Sequence, residues 1–290
     1  MISFYLYFPG SVLIQVKSSG DLGLSELLLG AYVPGAELVA NPDRTPDMVI
    51  EHEQTDDKRL IRKEDRIHIY DNWEKDFPLD FYHLLYSMVR VELLKRGFFS
   101  VHAACIGKSD YVLIVGHTGV GKTSVVLELL KNKAMKLFSG NKTIVAFKGG
   151  ALEAVGGTST LTASVEDINK HHSGNNTDVI KYGTRAAVTP NKHMNNPGRI
   201  RAIVLVGLND GVAENNLLDP VSALHRLYAY FLDTINADTI VCGGRDVYVG
   251  TPPTGVQESL AQNLKEVLSK IPTYSIKGSM DFVCDAITKL

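Results

Sequence analysis

Residues 111–123 read YVLIVGHTGVGKT, an apolar β-branched run that passes directly into a glycine-rich segment. The segment from Gly116 to Thr123 fits the pattern G-x-x-x-x-G-K-[ST] completely. The run before it predicts a strand buried on both faces, and the run SVVLELL after it predicts a helix. A strand, a glycine loop and a helix in this order are the setting in which the pattern binds nucleotide phosphates. The stretch therefore predicts an α/β core built around a phosphate-binding loop.

The residue types in this segment suit a bound phosphate. Glycines let backbone N–H groups converge on phosphate oxygens without Cβ clashes, and the start of the helix adds a dipole that favours an anion. Lys122 supplies a charge for the β- and γ-phosphates, and the Thr123 hydroxyl is placed to bind Mg²⁺. We expect Lys122 to be an exposed loop side chain that contributes little to folding. The expected cofactors are ATP and Mg²⁺, and the expected nucleotide-binding residues are Gly116, His117, Thr118, Gly119, Val120, Gly121, Lys122, Thr123 and Ser124.

The composition excludes several classes of protein. The chain has 290 residues, of which 44% are hydrophobic and 21% are charged, so it can fold as one large domain or two modest ones. A net charge of −2 disfavours nucleic acid as a partner. The cysteines Cys105, Cys242 and Cys284 form neither a disulfide framework nor a C-x-x-C zinc pair. Reduced cysteines favour a cytoplasmic protein. No apolar run approaches the roughly 20 residues of a membrane span, so we expect a cytoplasmic protein that binds neither nucleic acid nor membranes.

The hydrophobic pattern changes near residue 75. Residues 1–75 contain short apolar runs between turn-rich stretches, which predicts a small β-rich N-terminal region. Within residues 79–95 apolar side chains recur every three or four positions and Gly97 follows, which predicts a helix. Beyond residue 99 strands and helices alternate, as in α/β proteins. Strands are predicted at 101–106, 111–115 and 203–208, and helices after the N-cap Asp219 and around 256–267.

One polar stretch interrupts this alternation. Residues 169–199 are rich in Asn, Gly, His and Thr, and such a long polar stretch in a compact domain is either disordered or a functional loop. The spacing of His171, His172 and His193 matches no metal-ligand pattern. We interpret the stretch as a lid or acceptor-binding segment, with a solvated surface loop as the alternative.

The longer stretch GFFSVHAACIGKSDYVLIVGHTGVGKTSVVLELL, residues 97–130, resembles the C-terminal domain of HPr kinase/phosphorylase. That family shares its nucleotide-binding core with the phosphoenolpyruvate carboxykinases. The resemblance extends weakly to a closing strand and helix within residues 271–287. It implies a P-loop kinase-like domain over residues 76–290 that transfers the γ-phosphoryl group of ATP to a hydroxyl of a peptide, a protein or a small metabolite. The sequence leaves open which acceptor is used and whether the chain forms a homo-oligomer.

The resemblance also implies roles for individual residues. His102 matches the family histidine near the transferred phosphate, and Glu153 matches an acidic residue near the metal. The family carries two adjacent aspartates, one for the metal and one as base, where this chain has Gly140-Asn141. Together with the loop motif and the chemistry of the residues at 141 and 142, this gives His102, Lys122, Asn141 and Lys142 as the predicted catalytic residues, and Thr123, Asn141 and Glu153 as the predicted metal ligands.

Loss of the aspartate pair leaves two functions open. A general base contributes about 10²–10⁴-fold, whereas phosphoryl transfer depends mainly on positioning and charge neutralisation. Asn141 can bind Mg²⁺ through its amide oxygen, and Lys142 can add positive charge beside the transferred group. The predicted function is therefore a kinase, and the alternative is a nucleotide-binding regulator without phosphoryl transfer.

Each of these residues also has a simpler interpretation. Asn141 is then a turn residue, Glu153 a solvated acid at a strand end, and His102 a hydrogen-bonded core histidine. Asp210 follows the predicted strand 203–208, so it is either a metal ligand at a strand end or part of an Asp-Gly turn.

Overall fold

The computed structural model describes the chain apart from residues 21, 23, 58, 64, 72–78, 134, 172–178, 183, 192, 195, 233–238 and 243–244. The described residues form a mixed α/β structure with two large sheets, one in the N-terminal part of the chain and one in the remainder. Among the described residues, no helix is long and apolar enough to cross a bilayer.

Six strands of the N-terminal part form one mixed sheet. They are β1 (Ile2–Phe8), β2 (Val12–Ser18), β3 (Glu37–Val39), β4 (Met48–Gln54), β5 (Arg59–Lys63) and β6 (Arg66–Asp71), in the spatial order β3-β1-β2-β4-β6-β5. β1 and β2 form an antiparallel hairpin, whereas β2, β4 and β6 run parallel. Helix α1 (Glu26–Tyr32) lies between β2 and β3 along the chain.

Helix α2 (Leu79–Lys95) has the bounds that its apolar spacing predicts. Its buried face belongs to the same hydrophobic core as the N-terminal sheet, with Phe81, Leu84 and Met88 packed among residues of β1, β2 and β4. The Tyr82 hydroxyl accepts a hydrogen bond from the Ser25 backbone N–H at 2.9 Å, next to the start of α1. A domain boundary at residue 75 stays a prediction, but it would separate two elements that share one core.

The second large sheet is built on three parallel strands. Its nine strands are β7 (Phe98–Val101), β8 (Ala103–Gly107), β9 (Tyr111–Val115), β10 (Lys136–Ser139), β11 (Thr143–Lys148), β12 (Ala151–Gly157), β16 (Gly198–Leu208), β17 (Glu214–Leu218) and β20 (Thr273–Gly278). Two small separate sheets are formed by β13 (Leu161–Ser164), β14 (Val179–Tyr182) and β15 (Arg185–Val188), and by β18 (Thr239–Cys242) and β19 (Arg245–Tyr248). β16 lies between β9 and β20 and is parallel to both, so the carboxyl ends of these strands meet at one edge.

Helices cover both faces of the parallel strands. They are α3 (Lys122–Asn132), α4 (Val165–His171), α5 (Pro220–Leu232), α6 (Val256–Leu268) and α7 (Met280–Thr288). α3 and α7 share a hydrophobic core with one face, whereas α5 and α6 share a core with the opposite face. The Asp219 carboxylate accepts the N–H groups of Val221 and Ser222, each at 3.0 Å, which confirms the predicted N-cap of α5.

Two predictions about chain segments need correction. The strand predicted at 101–106 is interrupted at His102, which separates β7 from β8, because β7 pairs with β11 while β8 pairs with β9 and β10. The stretch 169–199 is not one long irregular loop, since its described residues include β14 and β15, which pair in a small sheet with β13. His172 and the rest of 172–178 lie outside the described residues.

We expect Phe81→Ala to destabilise the fold by about 3–5 kcal/mol, because it removes a fully buried aromatic ring from the core that α2 shares with the N-terminal sheet. Urea unfolding measures the change. The matched surface variant is Leu217→Ala, whose side chain is 64% exposed and should change stability by less than about 0.5 kcal/mol. Equal stabilities of the two variants would contradict the shared core.

Candidate functional site

The glycine-rich loop, residues 116–123, follows β9 at the edge where the parallel strands end. Gly119 and Gly121 have φ angles of 87° and 90°, values that side chains with a Cβ rarely adopt. A Cβ on Gly121 would lie 2.6 Å from Leu208 Cγ, so the loop packs tightly against the end of β16. The Leu208 N–H also donates to the Val120 carbonyl at 3.0 Å. Glycine thus permits the left-handed backbone at both positions, and at Gly121 it also permits close packing against Leu208.

The loop ends at the first turn of α3. Gly121 is the N-cap, its turn contains no acidic side chain, and no side chain caps the helix. The N–H groups of Lys122, Thr123 and Ser124 therefore have no intrahelical acceptor and lie at the positive end of the helix dipole. This arrangement of free donors beside a lysine is suited to an anion with several oxygens.

Lys122 is buried, with only 6% of its surface exposed. Its ammonium donates to the His102 backbone carbonyl at 3.4 Å, and burial lowers the pKa of the amine from 10.5 to about 8. The expectation of an exposed side chain with little influence on folding is therefore wrong. The lysine packs against the β7–β8 junction, where desolvation of its charge disfavours the folded state.

His102 is half-buried at that same junction. The structure thus brings two of the predicted catalytic residues together, although the contact uses the His102 carbonyl and not its imidazole. A role for the imidazole beside a transferred phosphate stays a prediction.

Residues 140–142 form a short loop between β10 and β11. Hydrogen bonds to two threonines keep this loop in place. Thr158 accepts hydrogen bonds from the N–H groups of Asn141 and Lys142 at 2.8 and 3.2 Å, and the Asn141 side-chain amide donates to the Thr162 hydroxyl. Asn141 has a φ of 44°, a left-handed value that Asn tolerates better than most residues. The turn interpretation of Asn141 is therefore supported by its backbone.

The first residue of β11 connects this loop to the junction at His102. The Thr143 hydroxyl donates to the Ala103 carbonyl at 2.9 Å, and Ala103 is the β8 residue opposite Val115, which directly precedes the glycine-rich loop. Residues 140–142 therefore lie at the same end of the sheet as the glycine-rich loop.

Gly140 leaves no space for a side chain. A Cβ there would lie 3.0 Å from the Thr160 carbonyl carbon and closer still to its oxygen, both of them backbone atoms. The sequence resemblance assigns the first aspartate of the family to this position. In this backbone the aspartate pair is thus sterically excluded at Gly140, whereas Asn141 can exchange its amide for a carboxylate without a new clash.

The Lys142 ammonium is directed towards α2. Its Nζ lies 3.3 Å from the centroid of the Tyr86 ring, which is a cation–π contact, and the Tyr86 hydroxyl shares a hydrogen bond of 2.9 Å with Ser100. Helix α2 therefore orients the charge that the sequence assigns to the transferred group. Whether Lys142 reaches such a group stays a prediction.

Glu153 has a charged partner of its own. Its carboxylate pairs with the Lys148 ammonium at 2.7 Å, and its backbone pairs with Arg199 near the start of β16. The β16 residue opposite Val115 is six positions further on, which is about 20 Å along a strand. Whether Glu153 shares a metal with Thr123 stays a prediction.

Two further features border the glycine-rich loop. The His117 and Tyr230 rings have centroids 4.9 Å apart, which brings α5 against the loop, a contact that no sequence pattern predicts. After β16, the Asn209 side chain accepts the Gly211 N–H at 3.0 Å, so the exposed Asp210 lies in a turn, in line with its simpler interpretation. In the part of the chain that the structure describes, no three His, Cys, Asp or Glu side chains come together as a metal site.

Comparison with known proteins adds a distant similarity to solved structures. No family model matches the chain, and no curated protein matches it. Among solved structures, the HPr(Ser) kinase/phosphatase from Coxiella burnetii is 12% identical, over 66% of this chain and 92% of that chain, with a TM-score of 0.30. Because the similarity is so low, the properties of the site rest on its own residues.

Gly140→Ala should destabilise the protein by about 1–3 kcal/mol, because its methyl group would collide with the Thr160 carbonyl. Gly207→Ala is the matched control, since its nearest neighbour would be Lys277 Cγ at 3.4 Å, an ordinary contact. Urea unfolding of both variants tests the clash. A Gly140→Ala variant as stable as Gly207→Ala would show that the backbone can accommodate a side chain there.

Lys122→Met should stabilise the protein at pH 7 by on the order of 3 kcal/mol, because it removes a buried charge and keeps the length of the side chain. Between about pH 8 and pH 10.5 the folded state has released the lysine proton and the unfolded state has not, so the wild type gains stability as pH rises. The variant lacks that gain. We expect its advantage in unfolding free energy to shrink across this range; an advantage that is constant with pH would contradict the burial of the charge.

Proposed function

We propose that the protein is an ATP-dependent kinase that transfers the γ-phosphoryl group to a hydroxyl of a peptide, a protein or a small metabolite. The observation that carries the proposal is the glycine-rich loop, in which the complete motif, the uncapped start of α3 and a buried lysine converge on one point. We also assign residues 76–290 to a P-loop kinase-like domain on this basis.

Nucleotide binding follows from the donors of the loop. The N–H groups of the first α3 turn and of Gly119 and Gly121 would hold phosphate oxygens, as the oriented donors of glycine loops do. Lys122 would exchange its weak contact with the His102 carbonyl for a charged phosphate oxygen, which is a much stronger acceptor. The same exchange would raise the lysine pKa, because a nearby negative charge favours the protonated amine.

The donor set fits Mg²⁺ as an accompanying cation. Mg²⁺ prefers oxygen ligands, uses few protein groups and, when bound, neutralises charge on the β- and γ-phosphates. The Thr123 hydroxyl, in the first turn of α3, would hold it there. Asn141 is the second ligand that we propose, because its amide nitrogen is engaged by Thr162 while its oxygen is the atom suited to a cation.

A second candidate is a regulator that binds a nucleotide without transferring phosphate. The observation that favours it is Gly140, where the close Thr160 carbonyl excludes the carboxylate that the resembled family uses. Phosphoryl transfer relies largely on positioning and charge, so the missing base does not decide between the two. Single-turnover assays with labelled γ-phosphate separate them: transfer to a hydroxyl supports the kinase, and stable binding without turnover supports the regulator.

Lys122→Met should weaken binding of Mg²⁺-ATP by about 10- to 100-fold, since a hydrogen bond to a charged group contributes about 1.5–3 kcal/mol. Calorimetric titration measures the loss. Lys131→Met removes an exposed lysine from the same helix and should leave affinity unchanged. Wild-type affinity in Lys122→Met would contradict the proposed nucleotide site, whereas no binding by the wild type would contradict both candidate functions.

Asn141→Asp should raise transfer by about tenfold to a hundredfold, at the low end of the contribution of a general base, because a carboxylate there can accept a proton from the acceptor. The Thr162 hydroxyl can donate to this carboxylate and keep it in place. The assay is single-turnover transfer to a panel of hydroxyl compounds and to water. A hundredfold loss with unchanged nucleotide affinity would show that the amide itself takes part in the reaction.

A further inference from the structure

Strand β17 forms an edge of the second large sheet. It pairs with β20 along one side in a continuous antiparallel register, and no backbone hydrogen bond joins its other side to any described segment. Alternate N–H and C=O groups of an antiparallel strand point away from its neighbour, so the outer side of β17 presents unpaired backbone groups. Residues 214–217 are all exposed, which leaves room for a further strand at this edge.

The other edges of the two large sheets are each protected. β7 is largely buried, and residues 193–194 cover β10 through backbone contacts with Leu137. β3 has only three residues, and β5 carries the three basic side chains Arg59, Arg62 and Lys63. Burial, short length and charge are devices by which proteins keep an edge from pairing. Among the described strands, β17 therefore differs from every other edge of these two sheets.

The edge at β17 also exposes apolar side chains. Leu217 is 64% exposed and Val221, in the first turn of α5, is 74% exposed. Apart from Met1, these are the highest values among the large hydrophobic residues that the structure describes. Exposed apolar side chains beside unpaired backbone groups are typical of a surface that binds another strand.

We propose that β17 pairs antiparallel with β17 of a second copy of this chain, so that the two nine-stranded sheets join across a two-fold axis. The register that pairs all five residues of the strand centres on Asn216, which then faces its own equivalent. A side-chain amide carries both a donor and an acceptor, so it can hydrogen-bond to an identical amide. The same register makes the two copies of Leu217 diagonal neighbours, which is within reach of their side chains.

The charges of β17 favour a second copy as the occupant. In this register Glu214, the one charged residue of the strand, lies opposite Leu218 of the other copy. The two glutamates are then four positions apart along the strands, about 14 Å, which exceeds the Debye length of about 8 Å at physiological ionic strength. Because both copies use the same surface, the assembly closes as a dimer and does not extend into a fibre.

Sedimentation velocity of the full-length protein from about 1 to about 200 µM tests the association, since a pair of short strands should give a transient dimer with a micromolar dissociation constant. Leu217→Lys places two cations at the diagonal position and should weaken the dimer at least about tenfold. Leu38→Lys changes an exposed leucine of β3 and should leave the dimer unchanged. A protein that stays monomeric over the whole range, or an undiminished dimer in folded Leu217→Lys, would overturn the proposal.

Asn216→Cys tests the register and does not depend on the folding of Leu217→Lys. Directly opposite residues of an antiparallel pair have Cα atoms about 4.5–5.5 Å apart, which is within the span of a disulfide. Mild oxidation should therefore link this variant into a covalent dimer at least about tenfold faster than Lys131→Cys, which places a cysteine on the exposed surface of α3. Both variants keep the native cysteines, so these contribute equally. Equal rates of linkage would overturn the pairing through β17.

Discussion

The parallel pairing of β16 with β9 on one side and β20 on the other is the constraint on which the rest of the structure depends. Parallel strands need crossover connections, and these connections place the helices on the two faces of the sheet. The pairing also brings the ends of all three strands to one edge, where chain segments distant in sequence meet. The contact between Leu208 and the glycine-rich loop exists only because β16 ends beside β9.

At that edge, Lys122 is subject to two opposing requirements, those of a stable fold and those of ligand binding. Lys122 loses hydration by burial, and its acceptor in the described structure is a single carbonyl at 3.4 Å. A site organised in this way is less stable empty than filled, because an anionic ligand would provide what burial removes. Strained or poorly satisfied groups of this kind are common where proteins bind ligands, since stability and binding make different demands on the same residues.

The elements predicted best from the sequence are those whose signal is local. The strand at 111–115, helix α2 and the Asp219 cap were each predictable because apolar spacing and cap chemistry act within a few residues. The environments of Glu153 and Lys122 were not predictable, because they depend on which strands pair and in which register. Thr158 and Thr162 gave no signal at all: their hydroxyls acquire a role only when β12 and β13 fold back beside residues 140–142.

Helix α2 has a consequence for how this architecture can evolve. Its apolar face completes the core of the N-terminal sheet, while its Tyr86 receives the ammonium of Lys142 from the other part of the chain. A gene recombination that exchanged only the segment before residue 75 would leave Phe81 and Leu84 facing a foreign surface or water. The N-terminal sheet is thus not a free module. We expect the sheet and α2 to be inherited together, and substitutions in the two to accumulate together across lineages.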